Sequence, residues 1–324
     1  MYIKLDEKAV KYYDDNYAPL FLYIQKATTG GYEIADVLTG TIRKGTYYVC
    51  DSSQRCRFCG KTVPEVSFKE KAHLFSESLG NKLFVSKNNE CDSCNSIFSK
   101  YEMDLNTFLY PYLVLNSIHG KNGVKKYRSN DKLSRIEHTD SVIKITDTCG
   151  KTKIQDDEIK KEIQYEFDMN SYSLSNVYRI LLKMALSILP EEDFKKFTIV
   201  TDSLVNRKLL GCEIFSLTSF PGFDRFEFTV MGYMKKVSDS LIPSYQFAIM
   251  NGDFLLQMPI YSDDDIRNMA GKSIHLEVVP IPTPFDNIEI MGNKTDHLFK
   301  VENDSITSPT KLSFTFKYES KTNL

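Results

Sequence analysis

Four cysteines carry the first chemical expectation. Cys56 and Cys59 form one Cys-x-x-Cys pair and Cys91 and Cys94 a second, with residues 60–90 between them. Two such pairs can hold one tetrahedral Zn2+ at Zn–S distances of about 2.3 Å with no position left for a substrate, so the expected ion is structural. The chain has seven Cys, an odd number, and residues 1–8 lack the order of a secretory leader, which favours metal binding over disulfides. Cys50, Cys149 and Cys212 are scattered and read as small buried or half-buried hydrophobes.

The elements that would position these thiols can be read from the pattern around them. Cys56-Arg-Phe-Cys59-Gly60-Lys61 supplies the glycine and basic residue that turn a tight knuckle back. Cys91-Asp-Ser-Cys94 leads into a predicted helix over 95–109, with Ile97, Phe98, Tyr101, Leu105, Phe108 and Leu109 available for packing. A metal ion would pin a hairpin to that helix and contribute much of the local folding free energy. Residues 1–50 are rich in Tyr, turn at 29–31 and look strand-like over 41–50, which predicts a small lead-in layer. Residues 111–170 are polar and punctuated by Gly120, Gly123 and Gly150, as loops and short strands are. Over 171–189 apolar residues recur at three- and four-residue steps and Pro190 follows, the firmest helix in the chain. Strand-like runs at 226–231, 245–250, 254–259, 274–279 and 312–318 predict a β-rich C-terminal half, and there is no internal repeat.

Between the knuckles stands His73, the one His of this segment. A lone His is commonly a satisfied side chain without a role, but its setting here is specific. The Cys56/Cys59 pair, the Phe68-Lys-Glu-Lys-Ala-His73 strand, the Glu77-Ser-Leu-Gly80 turn and Asn88-Asn-Glu-Cys91-Asp-Ser-Cys94-Asn95 together resemble the HNH endonucleases, within them a bacterial group with paired zinc knuckles. A weaker similarity continues through 98–102, 120–127 and 183–190, so the resemblance spans about residues 50–190.

Taken with the patterns above, the resemblance leads to an expected α+β chain: a lead-in over 1–50, a ββα-metal (HNH, treble-clef-like) module over 51–130 that the resemblance implies, and a helix plus β-rich domain over 131–324 that recognises or regulates. It implies a metal-dependent endonuclease that hydrolyses phosphodiester bonds in nucleic acid, DNA first. His73 would be the general base on the second strand, and Asn95 would take the position facing Mg2+ or another divalent cation. Asn88 would fix the imidazole or the hairpin loop, with Ser86 and Asn89 as alternatives for that place. Asn81, Asn88 and Asn89 also suit plain turns. Two residues depart from the pattern. Ala72 stands where an acidic residue commonly precedes the His, and Ser76 replaces the usual Pro. A hard cation then has one anionic ligand fewer, and Glu70 on the strand or Glu102 on the helix can supply the oxygen.

Residues 119–128 combine Lys121, Lys125, Lys126 and Arg128 with two glycines and a Tyr, a composition suited to a loop along phosphates, although such a run can equally be a solvated face. Arg55, Arg57, Lys61, Lys69, Lys71 and Lys82 extend the basic surroundings of His73. With 41 Lys+Arg against 43 Asp+Glu the net charge is −2, which excludes a uniformly basic coat protein and confines any polyanion contact to local patches. No apolar run approaches the roughly 18 residues of a membrane span, so a soluble cytoplasmic protein without membrane contact is expected. Family likeness associates such nucleases with bacterial antiviral defence or with mobile elements, and with homodimers. The rival expectation is a catalytically silent zinc-stabilised module that binds nucleic acid or protein. The C-terminal half shows no phosphate-binding glycine loop, second metal cluster or nucleophile pattern. There Phe220-Pro-Gly-Phe, Met231-Gly-Tyr and Pro280-Ile-Pro-Thr-Pro-Phe read as turns, and His275 and His297 lack partner spacing.

Overall fold

The computed structural model describes residues 7–50, 54–121, 123–128, 132–139, 142–147, 153–220, 226–272, 276–282, 295–307 and 311–317. The chain opens with α1 (Glu7–Asn16), β1 (Tyr17–Thr28), β2 (Gly31–Asp36), β3 (Thr41–Lys44) and β4 (Tyr47–Cys50). The cysteine segment follows as β5 (Ala72–His73), a 3-10 turn at Glu77–Leu79, β6 (Phe84–Lys87) and α2 (Asp92–Leu115). Short strands come next: β7 (His119–Gly120), β8 (Gly123–Val124), β9 (Tyr127–Arg128), β10 (Ser134–Thr139), β11 (Val142–Asp147), β12 (Lys153–Asp157) and β13 (Glu162–Asp168). Then come α3 (Leu174–Ile188), α4 (Glu191–Phe194), α5 (Thr198–Val205), β14 (Ile214–Ser219), β15 (Phe226–Lys235), β16 (Tyr245–Gly252), β17 (Phe254–Ile260), α6 (Asp263–Met269), β18 (Thr295–Lys300) and β19 (Lys311–Lys317). The class is α+β. Among the described residues no helix is long and apolar enough to cross a membrane.

Eight strands form one antiparallel sheet in the order β18-β14-β17-β16-β15-β1-β2-β3. Alternation along its central strands sorts two faces. Phe247 and Ile249 of β16 join the core against α2 and α3, while Ala248 and Met250 join a second cluster with Tyr13 and Tyr17. Both faces are covered, so every residue of β16 and β17 is buried, including the polar Gln246, Asn251 and Gln257.

This topology corrects the expectation of a separate N-terminal layer. β1 pairs with β15, Tyr23 opposite Val230, so residues 17–44 complete a sheet whose other strands lie some two hundred positions on. The run expected at 274–279 is a second correction: residues 276–279 form no strand. Their place is set by a side chain, since the Gln257 amide donates to the Val279 carbonyl and its oxygen accepts from Ile281 N–H. Pro280 and Pro282, which lack N–H donors, suit such a tether better than a ladder. The 220–223 and 280–285 turns and His275 fall wholly or partly outside the described residues.

The small sheet β4-β6-β5 carries the cysteine segment, with β5 antiparallel to β6 and His73 opposite Val85. Its inner face docks on the large sheet through aromatic rings: Phe75 lies 5.7 Å from Phe228 and 6.3 Å from Phe247, and Phe84 lies 6.2 Å from Phe228.

Helix α3 occupies the middle of the molecule. Ser173 caps it by accepting from Asn176 N–H, and nearly every side chain along it is buried. These include Lys183, whose ammonium pairs with Glu90 at 3.0 Å and donates to the His73 carbonyl at 2.5 Å. Both members of the pair are 2% exposed or less, and burial raises the Glu90 carboxyl pKa against the pull of Lys183. A buried ion stripped of its partner is destabilising by about 3–5 kcal/mol. Lys183→Met is therefore expected to lower unfolding free energy by about that amount in urea titrations, and Lys183→Met/Glu90→Gln by clearly less. Equal losses in both would show that the ion pair is not what Lys183 contributes.

Candidate metal centre and active site

The four thiols converge. Among the described residues, Cys56, Cys59, Cys91 and Cys94 bring their Sγ atoms within 4.8 Å of one another. Cys59 and Cys91 are 3.8 Å apart, the edge of a tetrahedron with about 2.3 Å metal–sulfur bonds. The local backbone explains the convergence. Cys56 N–H donates to the Lys61 carbonyl and Gly60 N–H to the Cys56 carbonyl, closing a turn that holds Gly60 at φ +71°, a conformation that favours glycine. Cys91 N–H donates to Cys56 Sγ at 3.4 Å, and Cys91 caps α2. This donor set fits one metal ion. Cys212 is buried away from it, Cys149 lies outside the described residues, and so does the Cys50 side chain.

The strand bearing His73 is fixed from three sides. Asp92, in the first turn of α2, accepts from Ser67 Oγ at 2.5 Å and from the N–H groups of Lys69 and Glu70 at 3.1 and 2.8 Å, aiming the chain into β5. Lys183 holds the His73 carbonyl from behind. Asn81 fastens the β5–β6 connection: its amide donates to the carbonyls of Phe75 and Phe84, and its oxygen accepts from Leu83 and Phe84 N–H. The turn at Glu77–Leu79 is held by the large sheet. Asn251 of β16 donates to the Leu79 carbonyl at 2.5 Å, and Gln25 of β1 donates to the Gly80 carbonyl and accepts from Lys82 and Leu83 N–H.

His73 opens onto a cavity of about 560 Å³ shared with Glu77, Asn95, Ser99, Glu102, Asn106, Lys121 and Lys125. Its Nε2 stands 3.7 Å from Glu77 Oε2. Burial lowers the imidazole pKa below its ordinary 6.5; Lys71, Lys183 and Lys121 push the same way, and Glu77 opposes them. The ring is thus neutral at neutral pH and able to accept a proton. Burial raises the Glu102 carboxyl, with Glu77 adding to the effect and Lys183 and Lys125 opposing it. Lys125 is lowered to about 8 by burial against the pull of Glu102, and donates to Asn106 Oδ1 at 2.8 Å.

The structure thus gathers His73, Asn95, Glu102, Lys71, Lys121 and Lys125 around one cavity and leaves Asn88, Lys126 and Arg128 outside its lining. Lys126 pairs with Glu137 at 2.7 Å, and Arg128 is exposed on β9. Asn88 sits after β6 at φ +59°, where an Asn tolerates left-handed backbone, and the hydrogen bonds expected of it in the loop come from Asn81. Ser86 and Asn89 are buried, and the Asn89 carbonyl accepts from Arg57 N–H. Of the two acids considered, Glu102 lines the cavity and Glu70 does not. Glu77 and Lys183 carry no role in the sequence reading. The signal for Lys183 was a cation, four residues after Arg179, inside an apolar helical stripe; for Glu77 it was the four-residue step from His73.

Residues 56–104 match the family model of the HNH endonucleases, a span that runs from the first thiol through His73 and Asn95 to the residues just past Glu102. No curated protein and no solved structure matches the chain. The similarity to the HNH endonucleases is thus confined to the segment that holds β5, β6, the first half of α2 and the four converging cysteines.

Proposed function

We propose that the protein is a metal-dependent endonuclease that hydrolyses phosphodiester bonds, with DNA as substrate and Zn2+ held by Cys56, Cys59, Cys91 and Cys94. The supporting observation is the neutral, half-buried His73 facing a cavity that also holds Asn95 and two lysines, inside the segment that matches the HNH family.

Each group has a task in such a reaction. His73 takes a proton from the attacking water, a role for which a base neutral at pH 7 is suited. Lys121 and Lys125 bring positive charge to the phosphate without reading bases. The Asn95 amide faces the cavity from the first turn of α2 and offers an oxygen to a divalent cation. Such a cation, when bound, supplies charge neutralisation at the phosphate and leaving oxygen. Lys183 and Asn81 act on none of these atoms; they hold the strand and loop that present His73.

Supercoiled plasmid incubated with the zinc-loaded protein and Mg2+ or Mn2+ should be nicked, and His73→Ala should slow nicking by about 10²- to 10⁴-fold with zinc content and DNA binding retained. DNA binding without cleavage by the unsubstituted protein in any divalent metal would instead support a silent binding module. Because burial and three lysines lower His73, the acid limb of the single-turnover pH–rate profile is expected below pH 6.5, the base staying deprotonated further into acid than an exposed His. Elemental analysis should find about one zinc per chain, and Cys94→Ser should lose that zinc and lower the melting temperature, since metal binding and local folding are coupled.

A further inference from the structure

The position before His73 is Ala72, and the strand turns that residue inward. Ala72 is 2% exposed, whereas Lys71 and His73 on either side of it line the cavity, as alternation along a strand requires. A carboxylate at position 72 of this chain would point into the core. Oxygen ligands for a cation in the cavity must therefore come from other elements, and two carboxylates line it, Glu77 and Glu102.

Glu102 lies seven residues beyond Asn95 on α2, two turns along the same face, so the two side chains reach the cavity from one wall. Among the described residues Glu102, half-buried on α2, makes no hydrogen bond or ion pair. Glu77 reaches the same cavity from a different element, a turn clamped by Gln25 and Asn251. Its carboxylate is 3.7 Å from the imidazole, too far for a hydrogen bond, so it is not locked to His73.

We propose that Glu77 and Glu102, together with the amide oxygen of Asn95, hold the divalent cation of this site in place of an acid before His73. The inference rests on the nuclease reading. Two carboxylates and an amide oxygen are hard donors, the set that suits Mg2+ or Mn2+. The site then straddles two parts of the molecule: one carboxylate is placed by α2 within the cysteine segment, the other by side chains of the eight-stranded sheet.

The test is Mn2+ titration of the zinc-loaded full-length protein, followed by loss of the free-Mn2+ EPR signal, alone and with a phosphorothioate duplex that resists cleavage. The unsubstituted protein should bind one Mn2+ beyond its zinc. Glu77→Gln and Glu102→Gln should each weaken binding by about tenfold or more, the double variant should abolish it, and Glu70→Gln should leave it unchanged. Glu77→Asp and Glu102→Asp, which keep the charge and shorten the reach, should fall between, and zinc content checks the fold of every variant. Unchanged Mn2+ affinity in Glu77→Gln/Glu102→Gln with zinc intact would overturn the proposal, and if the unsubstituted protein still nicked plasmid the nuclease reading would stand without it. Neither Mn2+ binding nor cleavage by the unsubstituted protein would remove both.

Discussion

One ammonium group ties this molecule together. Lys183 is buried in the middle of α3, and water cannot solvate its charge there, so the surrounding chain must. It does so with Glu90, next to the second cysteine pair, and with the carbonyl of His73. Those two partners belong to different elements of the cysteine segment, and α3 belongs to neither. The pair therefore fixes three pieces at once: the helix that carries Lys183, the loop entering α2, and the strand that carries His73. Arg57 repeats the arrangement on a smaller scale, donating to the Leu189 carbonyl at the end of α3 and stacking over Phe194.

The consequence is that the cysteine segment is not self-sufficient. Its inner rings, Phe75 and Phe84, pack on Phe228 and Phe247 of the large sheet, and its Glu77 turn is held by Gln25 and Asn251. Gly80 shows how close this fit is: it has φ +91°, and a Cβ there would stand 2.8 Å from Asn251 Nδ2. A metal ion at the four cysteines can order the knuckles and the start of α2. The geometry around His73 needs the sheet and α3 as well.

What the sequence made legible follows from distance along the chain. The two Cys-x-x-Cys pairs, the helix over 174–188 and strands β15 to β17 are encoded by spacing within a few residues, and periodicity reads such spacing directly. The place of β1 to β3 is not, because β15, on which β1 pairs and through it β2 and β3, lies about two hundred residues away and a strand pattern does not name its neighbour. Side-chain roles divide in the same way. His73, Asn95, Lys121 and Lys125 meet at one cavity, whereas Asn81, which the sequence offers only as a turn residue, fastens the loop where Asn88, Ser86 or Asn89 was expected, because it is the Asn buried among free backbone groups. Asn81 is fully buried and uses its whole amide; Asn88 is a turn residue. Lys183 was hidden for the opposite reason, since a cation in an apolar stripe looks like an interruption until its partners are seen.

Burial explains why the cavity is electrostatically poised rather than simply basic. Withdrawal from water pushes His73 and Lys125 toward their neutral forms and Glu102 toward its own, so each group's charge depends on which neighbour faces it. Glu77 and the imidazole, and Glu102 and Lys125, offset one another across the space. On the nuclease reading we propose, positive charge held at the carboxylates would remove from His73 the neighbouring anion that raises its pKa, while a phosphate at the lysines would pull the other way, so the charge of the ring depends on both neighbours together with its burial.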